Sequence, residues 1–265
     1  MTILDRFRLT DRVALITGAG KGIGRGIAFA FAEAGADVVC AARTAADLDA
    51  TADGVRARGR RAATVVCDVT KTPDLERATL ACLEAFGRID VLVNNAGGTP
   101  PRPALQTSEA FFEAALRFNA TSAFLLSRLC VPHMVERSGG GTIVNITGTT
   151  QQAVPLHTPG SACNAAIRMF SKELSMELGP LGIRVNSVAP GRIQTARADR
   201  LLEATASAQR TSPDVLLGQL VKTIPSGRVG TGDDIADAVC FLVSDRASYI
   251  NGAALVIDGS KSLVI

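Results

Sequence analysis

A glycine-rich turn near the start of the chain has the composition of a phosphate-binding loop. Gly18, Gly22 and Gly24 form a G-x-x-x-G-x-G pattern that follows an apolar run and opens a helical pattern. Glycines there allow a tight turn and let the backbone approach a pyrophosphate, which the free N–H groups of the helix can then bind. This position between a strand and a helix makes the pattern informative. The predicted nucleotide contacts are Gly18, Gly20, Lys21, Gly22, Ile23 and Gly24.

The elements that position this turn alternate regularly along the chain. Short apolar runs predict strands at 13–17, 37–41, 63–67, 89–93, 142–147, 184–188 and 253–257, and their continuous apolar character indicates burial on both faces. Helical patterns lie between them at 24–34, 45–58, 73–86, 108–118, 121–136, 161–178 and 233–243. This alternation predicts parallel crossover connections. We expect a single α/β Rossmann domain over 1–265, with a doubly wound parallel sheet and helices on both faces.

The longest stretch without a clear pattern covers residues 191–222, with weak helical patterning near 200–208 and 213–221. In a doubly wound fold an insertion at this point would lie over the carboxyl ends of the strands, where ligands bind. We therefore predict a substrate lid at about 192–222. The alternative is a surface excursion with no role in binding.

The glycine spacing and four later motifs resemble the short-chain dehydrogenase/reductase family over essentially the whole chain. The motifs are Asp68 with Val69, the segment 94–97, Asn119, and the segment from Pro190 to Thr195. The resemblance implies a nicotinamide cofactor and a seven-stranded sheet in the order 3-2-1-4-5-6-7. The further cofactor contacts that it implies are Asp68, Val69, Asn95, Ala96, Gly97, Asn164, Pro190, Gly191, Ile193 and Thr195.

The residues after the second predicted strand favour NADP(H) over NAD(H). An acidic residue at this place would bind the ribose hydroxyls of NAD, but the strand ends with Arg43 and no carboxylate. Arg43 can form charge-assisted hydrogen bonds to a 2′-phosphate, and Lys21 could add a second positive charge. Asp47 lies a helical turn further on and is less well placed. Each cation could also be an ordinary solvated side chain.

The chain departs from the family at the positions that carry the proton chemistry. The resemblance implies a serine, a tyrosine and a lysine there, but the sole tyrosine is Tyr249, to which the resemblance gives a packing or interface role. Counting from the matching segments on both sides, the serine, tyrosine and lysine positions are held by Gly148, Gly160 and Asn164. Only Asn119 keeps its usual residue, so the ordinary tyrosine mechanism is excluded. In this the chain resembles a divergent, β-ketoacyl-reductase-like branch that lacks the full catalytic set.

Other polar side chains near these positions could take part in proton transfer. His157 lies three residues before the tyrosine position, and histidine is the natural proton donor near neutral pH. The alternative is a loop histidine with no role. Thr147, Thr149 and Ser161 could hydrogen-bond a carbonyl oxygen, although Ser161 can instead help cap the next helix. The tentative catalytic residues are Asn119, Thr147 and His157.

A thiol acid at Cys163 is a further alternative to its packing in the core. The six cysteines lack C-x-x-C spacing, which indicates buried, reduced thiols in a cytoplasmic protein, and we predict no metal site.

Composition and charge exclude several classes of function. The 265 residues are 47% hydrophobic and 20% charged, which is typical of one large globular domain. The 28 basic and 25 acidic residues are too balanced to indicate a nucleic-acid partner. No segment approaches about 18 uninterrupted apolar residues, so no membrane span is predicted.

These observations predict an NADP(H)-binding oxidoreductase that acts on a carbonyl or secondary alcohol without the usual tyrosine–lysine pair. One alternative is a catalytically degenerate pseudoenzyme that binds NADP(H) and serves as a regulatory subunit. Another is a non-redox enzyme, catalysing elimination or retro-aldol cleavage in the same pocket. The expected partner is a small-molecule substrate, and the resemblance implies a homotetramer, or at least a dimer.

Overall fold

A seven-stranded parallel sheet forms the centre of the molecule. The structure is a computed structural model that describes residues 2–148 and 156–262. Its strands are β1 (Val13–Thr17), β2 (Asp37–Ala42), β3 (Ala62–Val66), β4 (Val91–Asn94), β5 (Gly141–Ile146), β6 (Ile183–Pro190) and β7 (Ala254–Ile257). They pair in parallel in the order β3-β2-β1-β4-β5-β6-β7. The expected fold class and strand order are confirmed.

Helices cover both faces of this sheet. Within the described residues they are α1 (Gly22–Glu33), α2 (Ala45–Ala57), α3 (Thr72–Phe86), α4 (Glu109–Leu116), α5 (Ser122–Ser138), α6 (Thr158–Leu178), α7 (Ala196–Ala208), α8 (Pro213–Lys222) and α9 (Gly232–Val243). None of these helices combines the length and the apolar character needed to cross a membrane.

Alternate residues of each central strand enter two separate cores. In β1, Ala14 and Ile16 pack with α1, α2 and α9, whereas Val13 and Leu15 pack with α3, α5 and α6. Successive side chains of a strand point to opposite faces, so a sheet covered twice requires the continuous apolar runs seen in the sequence. The two cores hold the sheet rigidly and leave its carboxyl edge as the place where loops of different strands meet.

The predicted boundary between the helices at 108–118 and 121–136 is wrong. Helix α4 continues through a π-helical turn, Arg117–Thr121, directly into α5. No glycine or proline interrupts residues 117–121, so nothing in that segment ends the helix. A π turn of this kind is rare and frequently lies at a functional site. Here it carries Asn119.

The weak patterns at 200–208 and 213–221 correspond to two full helices, α7 and α8. A hydroxyl caps the first turn of each: Thr195 accepts a hydrogen bond from the N–H of Ala198, and Ser212 accepts one from that of Val215. Such caps satisfy N–H groups that a helix leaves without partners. The two helices follow the carboxyl end of β6. That strand extends beyond the predicted 184–188, because Ala189 and Pro190 also pair with β7.

Candidate functional site

Two joined cavities lie at the carboxyl ends of the strands. The first, which we call the outer cavity, has a volume of about 450 Å³ and borders the glycine-rich turn and the ends of β2 and β3. The second, the inner cavity, has a volume of about 360 Å³ and borders the ends of β4 and β5 and the start of α6. Both are lined by Ile23, Asn95, Ala96 and Gly97. They meet between β1 and β4, where the strand order reverses and where ligands bind in doubly wound sheets.

The glycine-rich turn is held in place by the neighbouring strand β4. The Thr17 hydroxyl accepts hydrogen bonds from the N–H groups of Asn95 and Ala96, both at 3.0 Å. The Asn95 amide donates to the Thr17 carbonyl oxygen at 2.9 Å. In the described part of the chain no side chain caps the start of α1. Its first N–H groups are therefore available to an anion, which the positive end of the helix also attracts.

Behind the turn lies Arg25, a residue that the sequence patterns did not single out. Its Nε donates to the Thr51 hydroxyl at 3.0 Å, and its guanidinium also donates to the Gly20 carbonyl oxygen. The Thr51 hydroxyl lies 3.1 Å from the Ala19 carbonyl oxygen. These groups hold the carbonyls of the turn from behind, and the Ala19 N–H bonds to the Ala41 carbonyl oxygen. The N–H groups at the start of α1 are left to face the outer cavity.

Close packing explains why the turn needs glycine. Gly18 and Gly22 have φ of 66° and 55°, the left-handed region that residues with a Cβ rarely adopt. Gly24 has an ordinary conformation, but a Cβ there would overlap the Gly18 carbonyl oxygen and lie 2.5 Å from Asn95 Nδ2. A side chain at this position would push the turn away from α1 and displace the phosphate-binding N–H groups.

We expect Gly24→Ala to weaken NADPH binding about tenfold or more. Overpacking of a close contact costs about 1–3 kcal/mol, and about 1.4 kcal/mol corresponds to a factor of ten in affinity. Fluorescence titration with NADPH measures this change. Gly218→Ala in α8 is the matched control, because its Cβ would meet nothing within 4 Å. The control should bind NADPH as the wild type does, and equal affinity for both variants would contradict the prediction.

Charged side chains border the far end of the outer cavity. Lys21 Nζ lies 3.0 Å from Asp47 Oδ2, and both residues line the cavity together with Arg43 and Arg200. Asp47 is therefore better placed than its distance from β2 suggested, because the first turn of α2 brings it back to the glycine-rich turn. Its carboxylate balances the charge of Lys21 and leaves Arg43, Arg197 and Arg200 as the excess cations that line the cavity.

Of the predicted cofactor contacts Asp68 and Val69, only one lines the outer cavity. Val69 lines the outer cavity, whereas the Asp68 carboxylate is engaged within its own turn. It accepts hydrogen bonds from the hydroxyl and the N–H of Thr70, at 2.8 and 3.0 Å, and these lower the pKa of Asp68. Its contact with a cofactor stays a prediction.

The inner cavity brings together the residues predicted for catalysis. Three of them lie on different elements: Asn119 on the π turn, Thr147 after β5 and His157 before α6. The predicted residues that line the cavity are Asn119, Thr147, Gly148, His157, Gly160, Ser161 and Asn164. Thr149 lies outside the described residues.

Asn119 is buried, with 7% of its surface exposed, and its side chain is fully engaged in holding a loop. Its Oδ1 accepts a hydrogen bond from the N–H of Gly98 at 2.6 Å. Its Nδ2 donates to the Ala115 carbonyl oxygen at 2.7 Å and to the Thr99 hydroxyl at 3.3 Å. The π turn thus aims Asn119 at the loop after β4 and fixes that loop at the edge of the inner cavity.

Thr147 is similarly occupied by protein partners. Its hydroxyl donates to the Val188 carbonyl oxygen at 3.1 Å, and its N–H bonds to the same oxygen at 2.8 Å. The hydroxyl proton is therefore committed to β6. Thr147 can accept a hydrogen bond from a ligand, but donating one to a carbonyl oxygen would require it to break the bond to Val188.

Gly148 and Gly160, the glycines predicted to hold the serine and tyrosine positions, have different surroundings. An added Cβ at Gly148 would lie 2.7 Å from Asn164 Nδ2, so the Asn164 amide already fills the space of a side chain there. An added Cβ at Gly160 would lie 3.4 Å from Thr99 Cβ, which is an ordinary van der Waals contact. The space beside Gly160 is therefore open, and Thr99 borders it.

Two remaining candidates, Ser161 and Cys163, lie near the start of α6. The helix begins at Thr158, and the N–H of Ser161 already bonds to the His157 carbonyl oxygen at 2.8 Å. Ser161 therefore lies inside the first turn and is not the cap that its sequence context suggested. Cys163 is only 1% exposed, and burial raises its pKa to about 11, which makes it a poorer acid than a free thiol. Tyr249 is fully exposed and lines neither cavity.

The start of α7 closes over the cleft. Arg197 donates a hydrogen bond to the Gly97 carbonyl oxygen at 3.1 Å, and Thr195 and Arg200 also line the outer cavity. Gly98 has a φ of 122°, and a Cβ there would collide with the Arg197 guanidinium. Arg197 therefore joins the insertion after β6 to the junction of the two cavities.

Comparisons with known proteins agree with this geometry. A family model described as enoyl-(acyl carrier protein) reductase matches residues 18–260. An uncharacterized oxidoreductase of Mycobacterium tuberculosis is 40% identical over 258 residues, which cover 97% of this chain and 94% of that protein.

Two solved structures are similar along almost their whole length. A 7α-hydroxysteroid dehydrogenase complexed with NADH and 7-oxo glycochenodeoxycholic acid has a TM-score of 0.90 and 34% identity, covering 98% of each chain. The L-sorbose reductase of Gluconobacter frateurii, complexed with NADPH and L-sorbose, has a TM-score of 0.94 and 28% identity, covering 98% of this chain and 100% of that one.

Proposed function

The chain belongs to the short-chain dehydrogenase/reductase family, and we propose that it is an NADP(H)-binding oxidoreductase that works without the usual tyrosine–lysine pair. It would act on a carbonyl or secondary alcohol and belong to the divergent branch of the family. The observation that carries this proposal is the junction of the two cavities at Asn95 and Gly97. A dinucleotide bound along the glycine-rich turn would reach through this junction to a substrate in the inner cavity.

The residues of the outer cavity fit a dinucleotide. Gly18, Gly22 and Gly24 form a cradle that side chains would fill, and the uncapped start of α1 offers N–H groups to a pyrophosphate. Two related structures contain NADH or NADPH, which supports a nicotinamide cofactor here. When bound, the nicotinamide supplies or accepts the hydride.

The proposed preference for NADP(H) rests on the cations at the far end of the outer cavity. Arg43 is exposed there, and Arg200 approaches from α7. The Lys21–Asp47 ion pair is neutral as a unit, so Arg43, Arg197 and Arg200 give the outer cavity a net positive charge, which favours a 2′-phosphate. A guanidinium can bind phosphate oxygens through two parallel N–H groups.

Arg43→Ala should lower the affinity for NADPH about tenfold and leave the affinity for NADH nearly unchanged. A hydrogen bond to a charged group contributes about 1.5–3 kcal/mol, which solvent reduces at an exposed site. Isothermal titration with both cofactors measures the ratio of affinities. Arg128→Ala, which removes an exposed arginine on α5, is the matched control. Tighter binding of NADH than of NADPH to the wild type would refute the preference.

In the inner cavity we assign proton transfer to His157. Among the described residues that line this cavity, it is the one side chain of a type that commonly acts as a general acid or base. Asn119 positions the loop after β4, and Thr147 accepts a hydrogen bond from the ligand. Asn164 would contact the nicotinamide ribose as a neutral group, without the charge of a lysine. Orientation of the substrate against the nicotinamide supplies the rest of the rate enhancement.

We further propose that residues 192–222 act as a substrate lid. Helices α7 and α8 follow β6 at the ligand-binding edge, and the Arg197–Gly97 hydrogen bond attaches them to the cavity junction. A closed lid would exclude water from the inner cavity and complete the site around the substrate.

The proposed function is tested by NADPH oxidation with a broad panel of ketones. We expect slow reduction of at least one bulky or apolar ketone, because Gly160 borders open space in the inner cavity. Tight NADPH binding with no oxidation across the panel would overturn the proposed activity. The same outcome would support the second candidate, a pseudoenzyme that serves as a regulatory subunit.

The absence of a serine, a tyrosine and a lysine at residues 148, 160 and 164 favours that second candidate, because the residues of the outer cavity still fit a dinucleotide. A catalytically complete homologue that co-purifies with the chain would support it.

We also propose a homotetramer, or at least a dimer, because Phe124, Met169 and Met176 leave apolar surface exposed on α5 and α6.

A further inference from the structure

We propose that Thr99 and Asn164 form a pair of neutral hydrogen-bond donors that holds the carbonyl oxygen of an uncharged ketone. The pair would do the work of the serine and tyrosine hydroxyls that the chain lacks at residues 148 and 160. This inference rests on the proposed function for the nature of the substrate. The contacts that support it are those of Thr99, Asn164 and Gly160, and the assignment of His157 does not depend on them.

Thr99 is held so that its hydroxyl proton is left for a ligand. Its Oγ1 accepts a hydrogen bond from Asn119 Nδ2 at 3.3 Å. Asn119 is itself fixed through Gly98 at 2.6 Å and Ala115 at 2.7 Å. As the acceptor in that bond, Thr99 keeps its own proton, and no described residue accepts it. Because Thr99 lines the inner cavity, that proton can point to a substrate.

Asn164 supplies the second donor. Its Nδ2 lies 2.7 Å from the point where a Cβ of residue 148 would stand. The amide thus takes the place where a serine side chain would begin. Among the described residues, none forms a hydrogen bond with this amide, although it is half-buried and lines the cavity. Both amide hydrogens are therefore available to a ligand.

Gly160 leaves the space between the two donors. It lies four residues before Asn164 and so on the same face of α6. Its Cβ would point at Thr99, at 3.4 Å from Thr99 Cβ and 3.7 Å from Oγ1. With no side chain at residue 160, a carbonyl oxygen can enter this space, with the Thr99 hydroxyl on one side and the Asn164 amide on the other.

The chemistry of the pair defines the kind of substrate. Apart from His157, the described residues that line the inner cavity are all uncharged. A carboxylate or phosphate at the reacting end would meet no permanent cation, whereas a ketone oxygen needs only donors. Hydroxyl and amide groups polarise a carbonyl but do not release a proton near neutral pH, so they bind the oxygen while His157 is left as the acid.

The test uses cyclohexanone labelled with ¹³C at its carbonyl, bound in the presence of NADP⁺, so that no hydride can be transferred. We expect the carbonyl stretch of the bound ketone to lie at a lower wavenumber than in water. Thr99→Val and Asn164→Leu should each move the stretch part of the way back. Each should also weaken ketone binding roughly tenfold, as loss of one hydrogen-bond donor implies.

Two controls separate this role from a structural one. Thr99→Ser keeps the hydroxyl and should retain the low-wavenumber stretch. Unchanged NADP⁺ affinity in Thr99→Val and Thr99→Ser, and an unchanged melting temperature in Asn164→Leu, would establish that the fold is intact. No shift in the wild type, wild-type spectra for both Thr99→Val and Asn164→Leu, or a Thr99→Ser spectrum like that of Thr99→Val would overturn the proposal. A shifted stretch in a protein that never oxidises NADPH would support the donor pair and reject the proposed activity.

Discussion

Gly160→Tyr combined with Asn164→Lys should raise the rate of ketone reduction by about 10²–10⁴, which is the usual contribution of a positioned proton donor. The two substitutions place a phenol and an ammonium group four residues apart on one face of α6. The lysine charge lowers the pKa of the phenol and so improves the acid. Steady-state kcat, measured with NADPH and the best ketone of the panel, checks the gain.

The structure has room for this change. A Cβ at Gly160 makes only an ordinary contact with Thr99, and Gly160 lines the inner cavity, so we expect a ring to be accommodated there. Replacing Asn164 also removes the amide that stands 2.7 Å from a Cβ at Gly148. A third substitution, Gly148→Ser, then becomes possible, and the triple variant should be at least as active as the double one.

The matched control is Gly160→Phe with Asn164→Lys, which adds the same ring without the hydroxyl. It should show no gain, because a phenyl group has no proton to give. If the triple variant binds NADPH normally and gains nothing, residues 148, 160 and 164 do not limit the rate. The register assigned to them would then be wrong.

His157→Gln should lower kcat about 100-fold with little effect on NADPH affinity. Glutamine keeps a polar side chain of similar reach but cannot donate a proton as an imidazolium can. His133→Gln on α5 is the natural control, since these are the chain's two histidines and His133 lines neither cavity. An unchanged rate in His157→Gln would remove this residue from the mechanism and leave water as the proton source.

The sheet and the phosphate-binding turn could be predicted because their signals are local. A strand covered on both faces is an unbroken apolar run, and the turn at Gly18–Gly24 shows its glycines at fixed spacing between two such patterns. Helices α7 and α8 were harder to predict, because both lie on the surface: Ala206 is the buried residue of α7, and none of the described residues of α8 is buried. Their hydrophobic patterns were correspondingly weak.

The details of the site depend on contacts between distant segments, which periodicity does not reveal. No residue pattern identifies the π turn at Asn119, because the turn only adds a residue to a helix that continues. Thr99 lies in an irregular loop. That it faces the inner cavity is seen from its contacts with Asn119 and Gly160, which are distant in sequence. Asp47 belongs to a different helix from Lys21, and their ion pair follows from how α2 packs beside the turn.

Packing constrains the two halves of the proposed site to different degrees. The cofactor half consists of the glycines, Thr17, Asn95 and the uncapped start of α1. Close packing and hydrogen bonds hold these residues in place. In the proposed chemical half, Gly160 borders open space on a cavity wall, whereas the Asn164 amide takes the place of a side chain at Gly148. Binding and hydride transfer can therefore persist while the means of proton transfer differs.

The most direct test of this account is a single-turnover reaction with NADPH deuterated at the nicotinamide C4. We expect the wild-type protein, given the best ketone of the panel, to form an alcohol with one deuterium on the carbinol carbon. Mass spectrometry would detect this product even if turnover takes hours. Saturating NADPH binding with no deuterated alcohol from any ketone would contradict the claim that hydride transfer survives without the tyrosine–lysine pair.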